Sequence, residues 1–323
     1  MEIVNYIRNR SGRYSVQAGR IAPNIRALEV SFVRMITSFR LLAFASIAFL
    51  FFSMGCSSSD PSGTDERHSI LFQEVNRFVY VHFPDGYDEA DPMPVLLAFH
   101  GAQDSGIGFQ RGARLDREAD AHGFIVAYPS AWGSNWAEGC NCIRPDLDGV
   151  DDVGFADRTI ELLDELYEID RSRIYAAGYS QGGMFVHRLA CERSDTYAGF
   201  FTVGSLISLP LSRNCDPDSA VDIMMLNGTD DETVPFRGSS EGSYALKGAL
   251  ETYFMWGAKN GCPNFRDLQT IRNGGRTTHV HLIESCMGGS RVRLDEIVNG
   301  KHEWPIGDID APSLLTEFFH LSR

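Results

Sequence analysis

The stretch Ala177-Gly178-Tyr179-Ser180-Gln181-Gly182-Gly183 constrains this chain more than any other. The residues before it, 173–176, read as a short buried strand, and those after it, 184–190, read as a helix. A serine set between glycines at a strand-to-helix turn has the pattern of a nucleophile elbow. The steric reason is local. Ser180 must take a strained backbone conformation at the turn, and Gly178 and Gly182 stand where a side chain would clash as strand and helix converge. The turn lifts the Ser180 hydroxyl out of the sheet. The Gln181 N–H then lies at a helix start, where amides lack intrahelical partners and the dipole favours negative charge, which suits half of an oxyanion hole. The bland alternative, a glycine-rich turn with an incidental serine, is decided by whether the chain also supplies a base and an acid.

The surrounding pattern supports the turn. Apolar or alternating runs at 77–83, 95–99, 124–128, 199–203, 221–226, 280–283 and 292–294 predict strands. Helices are predicted over 115–121, through Val153, Ala156, Ile160, Leu163 and Tyr167, and over 244–259 and 314–319. Strands alternating with helices imply an α/β fold, a mostly parallel central sheet with helices on both faces. The ligand site of such a sheet lies at the carboxyl ends of its strands, where Ser180 falls. A length of 323 residues would allow two domains, but α/β folds of roughly 250 residues are often single. No internal repeat is evident, and a single folded domain is expected over 69–323.

The segment before that domain reads as an export signal. Residues 41–52 are a nearly continuous apolar run, too short for a comfortable membrane span but suited to a signal-peptide core. Arg40 precedes it; Ser53-Met54-Gly55-Cys56 and a polar tether follow. This resembles a bacterial lipoprotein signal with Cys56 as the lipidated residue, although Ser53 stands where such signals usually place leucine. Plain secretion is the alternative. Met35 would begin a conventional short, basic signal, so 1–34 is expected to be an upstream extension, 35–56 the signal and 57–68 a flexible polar linker. The whole chain carries a formal net charge of −14, and its N-terminal segment is arginine-rich, so the folded part is more acidic still. That argues against nucleic acid or an anionic membrane surface as a partner and leaves a membrane role only for the Cys56 anchor. Besides Cys56 there are six cysteines, an even number that suits disulfides in an exported chain. Cys140 and Cys142 hint at metal, but no second cysteine pair or histidine pair completes a zinc pattern.

A serine nucleophile needs a base, and the base needs an acid to hold its tautomer. Of nine histidines, five follow Ser180. His187 is in the elbow helix and points away, His279 and His281 belong to a predicted strand, and His320 is on the closing helix. His302, in Asn299-Gly300-Lys301-His302-Glu303-Trp304-Pro305, sits in a loop just after a strand, where a rigid scaffold normally presents a base. For the acid, a strand runs into Asn227-Gly228-Thr229-Asp230-Asp231-Glu232, and turn chemistry alone would explain all three carboxylates. Asp151 and Asp152 precede a helix and read as capping or loop-fixing residues. Trp136 and Trp304 are candidate aromatic walls for an acyl or aryl group.

Gly-Tyr-Ser-Gln-Gly-Gly-Met at 178–184, Asn-Gly-Thr-Asp-Asp-Glu-Thr-Val-Pro at 227–235 and Gly-Lys-His-Glu-Trp-Pro at 300–305 carry a family resemblance. So do Phe-His-Gly at 99–101, Asn-Trp at 135–136, Val-Asp-Asp-Val-Gly-Phe at 150–155 and Leu-Ala-Cys-Glu at 189–192. In this order they resemble the polyhydroxybutyrate depolymerase and feruloyl-esterase-like branch of the α/β-hydrolases, carbohydrate esterase family 1-like, across roughly residues 75 to 320. The resemblance implies an α/β-hydrolase fold and selects Asp231 as the acid; Asn227 replaces the histidine that usually leads that motif. It places the second oxyanion donor in the loop after His100-Gly101, at Ala102 with Gln103 as the runner-up, and gives His100 a turn-shaping role. It also implies a Cys262–Cys286 disulfide. Cys191 with Cys215 is a second expected pair, which leaves Cys140 and Cys142.

The expectation is an exported serine carboxylic-ester hydrolase with Ser180, His302 and Asp231 as its triad, acting on small or polymeric hydroxyalkanoate or plant-cell-wall esters. No metal or organic cofactor is implied. The rivals are a peptidase of the prolyl-oligopeptidase kind and a catalytically inactive surface-binding protein on the same fold.

Overall fold

The computed structural model describes residues 6–8, 14–16, 64–88, 91–240, 244–263 and 267–321. The chain divides into two units, Met1–Ser58 and Ser59–Arg323. In the first, β1 (Tyr6–Arg8) and β2 (Tyr14–Val16) pair antiparallel. The signal expected over 35–56, with Cys56, lies outside the described residues. Among the described residues no helix is long and apolar enough to cross a membrane.

The second unit is built on one ten-stranded sheet. Its strands are β3 (Thr64–Phe72), β4 (Val75–Phe83), β5 (Met93–Phe99), β6 (Ile125–Pro129), β7 (Ile169–Tyr179), β8 (Gly199–Val203), β9 (Ile223–Gly228), β10 (Asp267–Asn273), β11 (Arg276–Ile283) and β12 (Val292–Ile297). They lie in the order β10-β11-β12-β9-β8-β7-β5-β6-β4-β3. The six from β12 to β6 run parallel, and an antiparallel hairpin closes each edge. The fold is the expected α/β-hydrolase architecture.

Alternation along the central strands sorts the core into two layers. Met93, Val95, Leu97 and Phe99 of β5 face one cluster, together with Val153, Ile160, Phe185, Leu189 and Trp256. Leu96 and Ala98 face the other, with Phe109, Leu115, Leu315 and Phe318. A strand buried on both faces must read as a continuous apolar run, which is why β5 was legible. The helices follow suit. On the first face pack α4 (Asp152–Leu166), α5 (Gln181–Glu192) and α7 (Ala249–Lys259); on the second pack α1 (Gly106–Ala113), α2 (Leu115–His122) and α8 (Ala311–Phe319). Between these come the short helices α3 (Arg144–Leu147), before α4, and α6 (Leu209–Asn214), after β8.

Three expectations change. β3 begins at Thr64, so residues 64–68 of the stretch expected as linker are strand. The helix expected from 244 begins at Ala249, because Ser239 and Leu246 exchange backbone hydrogen bonds at 3.0 and 2.7 Å and hold that segment extended. Gly248 then caps the helix start, its N–H donating to Glu251 Oε2 at 3.1 Å. The edge strand β10 was not expected at all. It turns into β11 through Gly274 and Gly275, both at positive φ (54° and 84°), a two-residue connection that glycine makes without steric cost.

Candidate active site

Ser180 occupies the turn between β7 and α5 at φ 53°, ψ −122°. That is a sparsely populated conformation for a residue with a Cβ, and such positions store on the order of 1–3 kcal/mol. The glycines that flank it have the expected reason. A Cβ on Gly178 would run into the Gly182 carbonyl, and one on Gly182 would run into the Phe99 and His100 carbonyls. The Ser180 N–H donates to Val203 O at 2.9 Å, which pins the turn to β8.

The carboxyl ends of three strands bring the other groups to it. His302 follows β12, and its Nε2 lies 2.9 Å from Ser180 Oγ. Its Nδ1 lies 2.7 Å from Asp231 Oδ2, and Asp231 follows β9. A carboxylate only accepts, so Nδ1 carries the proton, and Nε2 is left to accept the Ser180 O–H. The other Asp231 oxygen accepts the N–H groups of Thr233 and Val234, each at 2.8 Å. Asp231 is buried, its side chain 1% exposed, while the His302 side chain keeps 17%. Asp230 points elsewhere: its side chain is 48% exposed and faces Lys301 at 3.5 Å.

Gln181 is the first residue of α5, where an amide has no intrahelical acceptor. Its side-chain oxygen accepts the Trp136 N–H at 3.1 Å. Across from it, the loop after β5 comes so close that a Cβ on Gly101 would sit 3.5 Å from Ser180 Cβ. In that loop the Gln103 N–H is engaged, donating to Ser134 O at 2.8 Å. Of the two candidates for the second oxyanion donor, Ala102 is therefore the one favoured.

Several side chains support this arrangement, and one of them, Tyr179, was not singled out in the sequence. The Tyr179 hydroxyl donates to His302 O at 3.1 Å, and its ring lies 5.2 Å from the imidazole, so the strand that carries Ser180 also steadies His302. The buried His100 donates from Nδ1 to Gly101 O at 2.7 Å and accepts the Ala131 N–H at Nε2 at 3.0 Å. Burial lowers its pKa, so it holds the loop as a neutral ring. Asp151 caps α4, accepting the Gly154 N–H at 2.8 Å. Asp152 fixes the neighbouring loop instead: it is fully buried, pairs with Arg77 at 2.6 Å and accepts the Ala137 N–H at 2.6 Å.

The two tryptophans divide. Trp136 is 0% exposed, stacks on Phe185 at 5.1 Å and donates to His100 O at 2.9 Å. It is a core strut behind the His100–Gly101 loop and not the expected pocket wall. Trp304 is half-buried; it donates to Ala113 O at 3.0 Å and meets Phe109 edge-on at 5.1 Å, bracing the His302 loop against α1.

Disulfides join Cys262 to Cys286, Cys191 to Cys215 and Cys140 to Cys142. Glu138 lies within ligand distance of Cys140 and Cys142, but those sulfurs are bonded to each other and offer no thiolate. Asp65, His82 and Asp116 form the other such group among the described residues, and Gln110 already donates to both of its carboxylates.

The sheet order and the serine–histidine–aspartate arrangement define the α/β-hydrolase class. Within it, the family model described as esterase PHB depolymerase matches residues 79–237, and the chain is similar to relatives named as feruloyl esterases. Feruloyl esterase B of Piromyces equi is 27% identical over 233 residues, which cover 70% of this chain and 42% of that enzyme. Feruloyl esterase C of Emericella nidulans is 27% identical over 257 residues, covering 76% and 85%. The chain thus spans less than half of the Piromyces enzyme. Among solved structures, acetyl xylan esterase from Aspergillus awamori superposes with a TM-score of 0.59 at 16% identity, over 80% of this chain and all of that one, a likeness of fold.

Proposed function

We propose that this chain is an exported serine carboxylic-ester hydrolase that works through an acyl-enzyme. The observation that carries the reading is the continuous relay from Asp231 Oδ2 through both His302 nitrogens to Ser180 Oγ, at 2.7 and 2.9 Å. Ser180 Oγ attacks the ester carbonyl carbon as its proton passes to His302 Nε2. The carbonyl oxygen becomes an oxyanion held by the Gln181 and Ala102 N–H groups, each donor worth about 3 kcal/mol in the transition state. The C–O bond to the alcohol then breaks, and His302 returns the proton to the departing oxygen. Water repeats the sequence on the acyl-serine and frees the acid. Asp231 keeps the productive tautomer and stabilises the imidazolium throughout.

The substrates are hydroxyalkanoate or plant-cell-wall esters. The names of the relatives, feruloyl esterases and acetyl xylan esterases, favour the second class. Turnover of p-nitrophenyl acetate by the wild type and its loss in Ser180→Ala tests the chemistry. A panel of methyl ferulate, acetylated xylan and a 3-hydroxybutyrate oligomer tests the acyl group, and hydrolysis of a proline anilide instead would move the reading to a peptidase. For export, the reading takes Cys56 as a lipid-attachment residue. Metabolic labelling with a fatty acid, lost in Cys56→Ala, supports that; an unlabelled, released protein replaces it with plain secretion.

A further inference from the structure

Of the three disulfides, two join cysteines 24 residues apart and one joins cysteines only 2 apart. The restraint that a disulfide puts on the unfolded chain grows with the loop it closes, so Cys140–Cys142 is the weakest staple of the three. Its surroundings suit a different use. Cys140 is buried, Cys142 is half-buried, and Asn141 between them is exposed, at φ 54°. A thiolate from solution therefore reaches Cys142 Sγ more readily than Cys140 Sγ.

The buried sulfur is prepared to leave. The Cys142 N–H donates to Cys140 Sγ at 3.1 Å, and an amide hydrogen on sulfur favours its thiolate. A carboxyl oxygen of Glu138 lies within 4.8 Å of both sulfurs. Among the described residues, neither of the other disulfides belongs to such a group. Glu138 is 0% exposed, and no donor among the described residues is aligned on either of its oxygens; the Tyr244 hydroxyl beside it turns to Met184 Sδ at 2.7 Å. An ionised carboxylate is costly in such a place, and a carboxylic acid much less so. Burial pushes the Glu138 pKa up to about 7; the Tyr244 hydroxyl and Arg188 of α5 oppose the rise, and Asp146 of α3 adds to it. The neutral acid can give its proton to a thiolate on Cys140, whereas the carboxylate would repel that thiolate.

We propose that Cys140, Cys142 and Glu138 form a second reactive site, which takes two electrons from a dithiol by thiol–disulfide exchange. A thiolate of the dithiol, its proton already lost to water, attacks Cys142 Sγ; a new S–S bond forms and the Cys140–Cys142 bond breaks. The electron pair goes to Cys140 Sγ, which takes the Glu138 proton. The second thiol loses its proton to water and attacks the mixed disulfide at the dithiol's own first sulfur. Cys142 Sγ leaves as a thiolate, and it and Glu138 each take a proton from water. The dithiol has become a disulfide, and the protein holds two thiols. No atom of Ser180, His302 or Asp231 takes part, so the site does not depend on the esterase reading.

The test equilibrates the disulfide-bonded protein with mixtures of reduced and oxidised dithiothreitol, alkylates the free thiols and maps them by peptide mass. The Cys140–Cys142 bond should open with an equilibrium constant at least about tenfold larger than either other disulfide, the two being controls in the same chain. Its rate of opening, divided by the thiolate concentration, should fall roughly tenfold as pH rises from about 6 to about 8, because the acid form of Glu138 is lost there. Glu138→Gln keeps the shape and cannot ionise, so its normalised rate should be flat. Ser180→Ala should behave as the wild type. Earlier opening of Cys191–Cys215 or Cys262–Cys286, a flat wild-type profile, or a slope that survives in Glu138→Gln overturns the proposal. If Glu138→Gln does not fold, the order of opening and the wild-type slope decide it.

Discussion

His302 and His82 are each held through both ring nitrogens, yet their surroundings put them to different uses. His302, at the carboxyl ends of the sheet, has one carboxylate on Nδ1 and one hydroxyl on Nε2. A neutral ring, with one donor and one acceptor, satisfies both partners, and the ring can then take a proton from the hydroxyl and give it back. His82, where the β3–β4 edge meets α2, has Asp65 on Nδ1 at 2.9 Å and Asp120 on Nε2 at 3.0 Å, with Asp116 at 3.8 Å. Two carboxylates demand two donors, so the ring must carry both protons. Burial alone would lower its pKa, but Asp116, Asp65 and Asp120 together outweigh that and raise it. His187 completes the series: it accepts the Trp256 N–H at 3.2 Å, no carboxylate among the described residues faces it, and burial pushes its pKa down to about 3. The count of acceptors around an imidazole decides whether it is a base, a cation or a neutral strut.

The largest loss is expected at the carboxyl ends of the sheet. Ser180→Ala removes the hydroxyl that makes Nε2 an acceptor, and ester turnover should fall by on the order of 10⁶ with melting nearly unchanged. Retention of more than a few per cent of activity in a burst-free steady-state assay would count against Ser180. Asp231→Asn leaves His302 without the acceptor that fixes its tautomer, and kcat should fall by about 10⁴. A loss under tenfold would mean that the carboxylate, though bonded at 2.7 Å, does not set the tautomer.

At the other end, His82→Gln should leave kcat within about twofold while lowering stability by about 1 kcal/mol, because it removes a buried cation from partly exposed carboxylates. The sign with pH follows from the raised pKa. The His82 contribution is fully present below the unfolded value of 6.5 and is lost as pH rises through the higher folded value. Denaturant melts of wild type and variant should therefore converge as pH rises from below 6.5 through that higher folded value. A gap that stays constant would show that His82 is not held as a cation. The smallest effect is expected from Asp230→Asn, whose exposed carboxylate serves only the turn and Lys301: about 1 kcal/mol of stability at most, and turnover within roughly tenfold. Equal, large losses at Asp230 and Asp231 would mean that the turn collapses as a unit.

Much of this was legible in residue order because it depends on local rules. The elbow follows from backbone sterics at Gly178, Ser180 and Gly182, and the central strands follow from burial on both faces, which forces unbroken apolar runs such as 95–99. The family motifs located Asp231 and His302 for the same reason, since each is a loop tied to the strand before it. What depends on direction or on distant partners was decided only by the tertiary structure. Asp230 and Asp231 are adjacent and chemically alike, and the turn after β9 gives one to His302 and the other to solvent. Trp136 reads like a pocket aromatic, but α5 and the His100 loop close over it. The edge strands β3 and β10 face water or a single neighbour, so no apolar period marks them. His82 looks like any strand histidine until Asp65, Asp116 and Asp120, from two other elements, surround it. Local sterics and burial are properties of a stretch of chain and survive in its order. Side-chain direction and charge state belong to whatever the fold brings alongside, and only packing supplies that.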